Sequence, residues 1–203
     1  MESAADWPPL IPHLPLKSKV AQFCAAPWPN FAPPLTNRRA LEAALAQAVD
    51  TVEKGGRPFA LMHLDLDFFK SVNDMLGHAA GDHVLTEVAR VLREETRRDD
   101  IIARVGGDKF VLILSGLVDE GKLVALAERI IERIEEPILF EGRSCRVSGS
   151  AGIAISTSYR LQNPYRMLSD SDLALYASKR GGRGRATVFR PDLVLTNDRR
   201  ARH

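Results

Sequence analysis

Carboxylates crowd the end of one apolar run. Asp65-Leu66-Asp67-Phe68-Phe69-Lys70 is followed by Asn73-Asp74, Gly77-His78 and Gly81-Asp82, and a second polar knot reads Arg104-Val105-Gly106-Gly107-Asp108-Lys109-Phe110. Asp65 closes a strand-like segment in which Leu61 and His63 alternate onto its face. A carboxylate there needs a partner, because burying a bare charge is very costly. Asp108 follows paired glycines, which let another group approach the backbone closely. If the two segments are neighbours, two carboxylates converge, and hard oxygen donors with open positions beside them suit magnesium and phosphates. The alternative is a pair of solvated acidic turns, and spacing alone leaves both readings standing. His63 reads as a core or edge histidine and His78 as a loop brace through hydrogen bonds. Neither joins a cysteine or carboxylate cluster at metal spacing.

The elements that must position these residues are legible from periodicity. Leu41, Ala44, Leu45 and Val49 recur at helical spacing, with Asn37 as N-cap and Gly55-Gly56 as the stop. Phe59 to Leu66 reads as a buried strand. A short helix through Phe69 and Val72 ends at Gly77, and a longer one runs from about Gly81 to Arg97. Ile101–Arg104 and Phe110–Leu114, separated by Gly106-Gly107, predict a hairpin. Then follow a helix from Leu123 to Ile134, a strand from Val147 to Ile155, a helix from Tyr165 to Lys179 and a strand from Ala186 to Phe189. Helices alternating with strands, plus one hairpin, predict an α+β domain with helices around a mostly antiparallel sheet.

Residues 1–34 hold eight of the twelve prolines and read as a linker or arm, while 191–203 read as a tail or linker towards a further domain. Trp7, Phe23, Trp28 and Phe31 offer the arm a way to pack on the domain. The net charge of +2 argues against non-specific nucleic-acid binding, and the late arginines, Arg183 to Arg202, read as a solvated tail. Two distant cysteines, Cys24 and Cys145, argue against a disulfide framework or zinc site and fit a reducing compartment. With no membrane span and no secretory signal in view, the cytoplasm is the expected location.

The combination D-x-D-x-F-K-x-x-N-D-x-x-G-H-x-x-G-D and R-x-G-G-D-x-F closely resembles the GGDEF family of diguanylate cyclases. The resemblance continues through Asn37-Arg38-Arg39, Ala127-Glu128-Arg129, Ser150 to Ile153, Asp172 to Tyr176, Ala177-Ser178-Lys179 and Gly182-Arg183, covering about residues 35–190. It implies a palm-like sheet related to nucleotide cyclases and polymerases. It also implies condensation of two GTP molecules into cyclic di-GMP by two facing domains, and the expected partner is a second copy in a homodimer or a covalently attached signalling domain. Asp65, Asp108 and the carbonyl of Leu66 match the family's magnesium ligands, and Asn73 and Asp82 its guanine-recognising pair. An amide and a carboxylate together suit the donors and acceptors of a guanine edge. Lys70, Lys179 and Arg183 match the phosphate-binding cations, with backbone groups of Phe68 and Phe69 nearby. Arg97 and Asp100 match an inhibitory R-x-x-D site for cyclic di-GMP, which Arg129 resembles the partner arginine in completing. A charged helix end that merely solvates a turn is the plainer account of that motif.

The sequence departs from the family at Lys109, where relatives carry a catalytic glutamate. At an effective dielectric of 20 and roughly 5 Å, one positive charge repels a divalent ion by on the order of 6 kcal/mol before screening. Even a third of that costs more than about tenfold in binding or rate. Neighbouring strand residues point to opposite faces, so Lys109 has the option of avoiding Asp108 and contacting a phosphate. The link between Thr36 and Asn37 is shorter than in relatives, which bears on dimer geometry, and Gly184 stands where asparagine is usual. The expectation is a degenerate domain binding GTP and cyclic di-GMP with weak or absent cyclase activity. The rivals are an active diguanylate cyclase and a non-enzymatic dimerisation or docking module.

Overall fold

The computed structural model describes residues 38–160, 163–191 and 193. The proline-rich arm with its aromatics, the Asn37 cap, Cys24 and most of the 191–203 tail lie outside the described residues. The chain runs α1 (Arg38–Glu53), β1 (Phe59–Asp67), α2 (Phe69–Leu76), α3 (His78–Glu95), β2 (Ile101–Gly106) and β3 (Lys109–Ser115). It continues through α4 (Glu120–Glu135), β4 (Ile138–Phe140), β5 (Arg143–Cys145), β6 (Ser148–Ile155), α5 (Pro164–Arg180) and β7 (Ala186–Val188).

Five strands form the central sheet in the order β2-β3-β1-β6-β7. The first three pairings are antiparallel, and only β6 with β7 is parallel, so the mostly antiparallel expectation holds. Strand alternation sorts the core into two layers. Ala60, Met62, Leu64 and Leu66 of β1 join Phe110, Leu112 and Leu114 of β3 beneath α2, α3 and α4. On the other face Phe59 and Leu61 join Val111 and Ile113 beneath Leu41, Leu45 and Val49 of α1 and Met167 of α5. Along that second face β1 turns polar, because His63, Asp65 and Asp67 follow Leu61 at the same two-residue period. The functional residues are therefore the polar end of a packed layer.

Glycine lets α5 settle on this face. A Cβ at Gly152 of β6 would stand 2.1 Å from both the Leu175 nitrogen and the Ser171 oxygen, so the helix backbone touches the sheet there. Asn163 caps α5 by accepting from the Arg166 N–H at 3.0 Å, and Pro164 occupies the first turn, where its missing donor is harmless.

Two boundaries differ from expectation. Helix α3 begins at His78, not near Gly81, because Gly77 at φ 84° turns the chain directly from α2 into α3. It ends at Glu95, with Thr96 extended. The hairpin β4–β5 was not expected. Its strands have three residues each, too short for a period to register, and Glu141 and Gly142 at φ 49° and 74° make the tight turn.

Candidate functional site

The site is built where β1, the β2–β3 hairpin and the end of α5 meet. Asp65 lies opposite Lys109 in the β1–β3 register and opposite Ser150 in the β1–β6 register. It is 6% exposed, and each carboxylate oxygen faces a cation. Lys179 Nζ of α5 lies 2.5 Å from Oδ1, and Lys109 Nζ lies 3.8 Å from Oδ2. Asp108, at the hairpin tip, is half-buried, and its carbonyl accepts the Leu66 N–H at 3.1 Å. Burial first, and the Asp65 charge second, push the Asp108 carboxyl above its ordinary value, against the pull of Lys179 and Lys109. Asp108 thus sits beside the end of β1, and the solvated-turn alternative does not describe the buried Asp65.

Sequence reasoning gave Asp67 no role, and the structure makes it the site's organiser. It is 2% exposed, and its Oδ2 accepts from Ser150 Oγ at 2.6 Å and the Gly184 N–H at 3.4 Å. Its buried Oδ1 has no hydrogen bond but lies 3.6 Å from Arg183 Nε and 3.9 Å from Lys179 Nζ. Asp67 therefore anchors the turn after α5, where Arg183 and Gly184 take φ of 63° and 57°. The signal was present in the two-residue period that puts Asp67 on the face of Asp65.

The pair expected to read guanine, Asn73 and Asp82, comes from α2 and α3. Phe68, in the left-handed region at φ 66° and 62% exposed, breaks β1 and starts α2 at Phe69. Asn73 then follows about 6 Å further along the helix axis. A Cβ at Gly81 would stand 2.1 Å from Asn73 Oδ1, so the Asn73 amide lies against the α3 backbone one residue before Asp82. Asp82 and Lys70 are exposed, and Phe69 is buried beneath them.

The two histidines behave differently. Desolvation holds the His63 imidazole below its ordinary value despite Asp172, whose Oδ1 lies 3.8 Å from Nδ1. Neither ring nitrogen has a hydrogen bond, in keeping with the core or edge reading. His78, by contrast, is exposed at the start of α3. No hydrogen bond from its ring appears among the described residues, so the loop-brace expectation finds no support there.

Arg97 and Asp100 fall in one turn between α3 and β2. The Asp100 oxygens accept from the Arg97 N–H at 2.8 Å and the Ser115 N–H at 3.0 Å. Arg97 is exposed, and Arg129 on α4 bonds to Glu95, which also meets Arg133 at 2.8 Å.

Donor chemistry decides whether magnesium fits. The carboxylates of Asp65 and Asp108 and the Leu66 carbonyl are hard oxygens, fewer than a closed cage, which suits a cation that also takes phosphate and water. Among the described residues no group of three acidic, histidine or cysteine side chains is arranged so that it could hold a metal ion by itself. The fit in kind is therefore good, with Lys109 as a competitor for Asp65.

A family profile described as "Diguanylate cyclase, GGDEF domain" matches residues 33–185. The probable diguanylate cyclase DgcE of Escherichia coli (strain K12) is 40% identical over 169 residues, which are 82% of this chain but only 15% of DgcE. The solved GGDEF domain of TpbB (YfiN) from Pseudomonas aeruginosa superposes with a TM-score of 0.76 at 33% identity, covering 81% of this chain and 95% of that one. The GGDEF domain of DgcB from Caulobacter crescentus, crystallised in complex with c-di-GMP, gives a TM-score of 0.70 at 31% identity over 76% and 91% of the two chains.

Proposed function

The chain belongs to the GGDEF family of diguanylate cyclase domains, and from that premise we propose that it binds guanine nucleotides in cyclic di-GMP signalling while condensing GTP weakly or not at all. The observation that carries this reading is the Lys109 ammonium 3.8 Å from Asp65 Oδ2, among residues whose other members match the family motif. Asn73 and Asp82 read the guanine edge, the amide as donor and acceptor and the carboxylate as acceptor of N–H groups. Lys70, Lys179 and Arg183 take the phosphates, joined by the first N–H groups of α2 at Phe69, which lack intrahelical partners. Magnesium held by Asp65, Asp108 and the Leu66 carbonyl would polarise a phosphate and acidify an attacking hydroxyl. Lys109 contends for the same carboxylate and places positive charge where relatives place a negative one, which weakens that chemistry.

Cyclic di-GMP is assigned to Arg97 and Asp100, with Arg129 as its second arginine. The guanidinium of Arg97 is exposed for a phosphate or guanine edge, and each Asp100 oxygen keeps a lone pair beyond its backbone bond. The assignment is supported by likeness to a domain crystallised with that ligand. Residues 35–190 form the domain, and 1–34 and 191–203 connect it to an attached signalling domain or a second copy. No described helix is long and apolar enough to cross a membrane, and the cytoplasm, where GTP resides, is the proposed compartment.

Incubation of the purified chain with GTP and magnesium, with cyclic di-GMP quantified by mass spectrometry, tests the proposal. The native chain should give little product, and Lys109→Glu should raise it by at least about tenfold. Ample product from the native chain contradicts the reading.

A further inference from the structure

We propose that Lys109 is a built-in counter-cation for the nucleotide phosphates, so that GTP binds this pocket without a divalent ion. The inference rests on the guanine-nucleotide reading above and adds the ionic requirement of the same site. Asp65 and Lys109 face each other directly in the β1–β3 ladder, so the sheet itself fixes their pairing. With Lys179 2.5 Å from Oδ1 and Lys109 3.8 Å from Oδ2, both Asp65 oxygens face ammonium groups. Both ammonium groups therefore compete with a divalent ion for this carboxylate.

The charge count points the same way. Asp65, Asp67 and Asp108 supply three negative charges, and Lys109, Lys179 and Arg183 supply three positive ones. The protein's own groups are balanced before any ion enters. With glutamate at position 109 the same cluster would hold four carboxylates against two cations, a deficit that a divalent ion fills. Lys109 is also free to change partners. Its side chain is 47% exposed, and its ammonium is a compact charge on a flexible stem. Turning from Asp65 to a phosphate oxygen adds Lys109 to Lys70, Lys179 and Arg183, so the polyanionic triphosphate meets four side-chain cations in place of metal.

Calorimetric titration of GTP into the whole chain, in EDTA and then in magnesium, reads this directly. The native chain should bind in EDTA within about threefold of its affinity in magnesium. Lys109→Glu should lose at least about tenfold in EDTA and regain binding when magnesium is added. Lys109→Gln, which only removes the charge, should also weaken binding in EDTA. Native binding that appears only with magnesium overturns the inference and leaves the guanine reading intact, as does a Lys109→Glu chain that binds like the native one in EDTA. No GTP binding in either condition removes the guanine reading, and the inference with it.

Discussion

Asp100 and Asp65 are buried almost equally, at 7% and 6% exposure, yet their partners differ in kind. Asp100 accepts two backbone N–H groups, from Arg97 and Ser115, and these are fixed in a turn and a strand. Asp65 is met by two lysine ammonium groups on long stems. A backbone amide cannot leave without unfolding its segment, whereas a lysine can exchange one anion for another. Burial of a carboxylate thus marks a constraint, and the mobility of its partners tells whether that constraint serves the fold or a ligand.

The comparison can be broken by substitution. The largest effect is expected where α5 touches β6. Gly152→Ala drives a Cβ into helix backbone and should cost about 3 kcal/mol or more in urea denaturation. It should weaken GTP binding as well, because α5 carries Lys179. Next, Asp100→Ala leaves two amides unpaired and should cost about 2–3 kcal/mol with GTP affinity unchanged. Asp65→Asn, by contrast, keeps the side chain's shape and leaves two lysines with partly solvent-exposed side chains, so it should cost less stability than Asp100→Ala while changing nucleotide binding. Equal stability losses at the two aspartates would erase the distinction.

Gly81→Ala sharpens it from another side. The new methyl displaces the Asn73 amide and should lower GTP affinity by about tenfold. Helix propensity favours alanine by up to about 1 kcal/mol and offsets the tight approach to Phe69, so stability should change by less than the loss of binding. Such a loss of binding without loss of fold is the mark of a ligand group. The smallest effect concerns His63. Its folded value lies below the ordinary 6.5, so the unfolded chain binds more protons in that window. Stability is therefore full above pH 6.5 and falls as pH drops towards the folded value. His63→Phe should flatten that acid-side decline in Tm between pH 7.5 and 5.5.

The sequence made the apolar strands and most helices legible because their periods are long enough to read. The family motif named Asp65, Asp108, Asn73 and Asp82 as expected site residues; the structure sets Asp65 and Asp108 at the β1–β3 end and Asn73 against α3 beside Asp82. What escaped was short or indirect. The β4–β5 hairpin has strands of three residues. The two-residue period puts Asp67 on the face of Asp65, but its partners Arg183 and Gly184 lie more than a hundred positions away and no local pattern names them. Gly81 was read as a helix start, when its lack of a side chain makes room for Asn73. The pairing of Lys109 with Asp65 needed the strand register, which alternation within one strand does not reveal.

Competing titrations of GTP and ATP into the native chain and into Asn73→Ala test most directly whether Asn73 and Asp82 select guanine at this cleft. GTP should bind at least about tenfold more tightly than ATP to the native chain, and the substitution should abolish that preference. Equal binding of the two nucleotides by the native chain, or a preference that survives the loss of Asn73, would contradict the account.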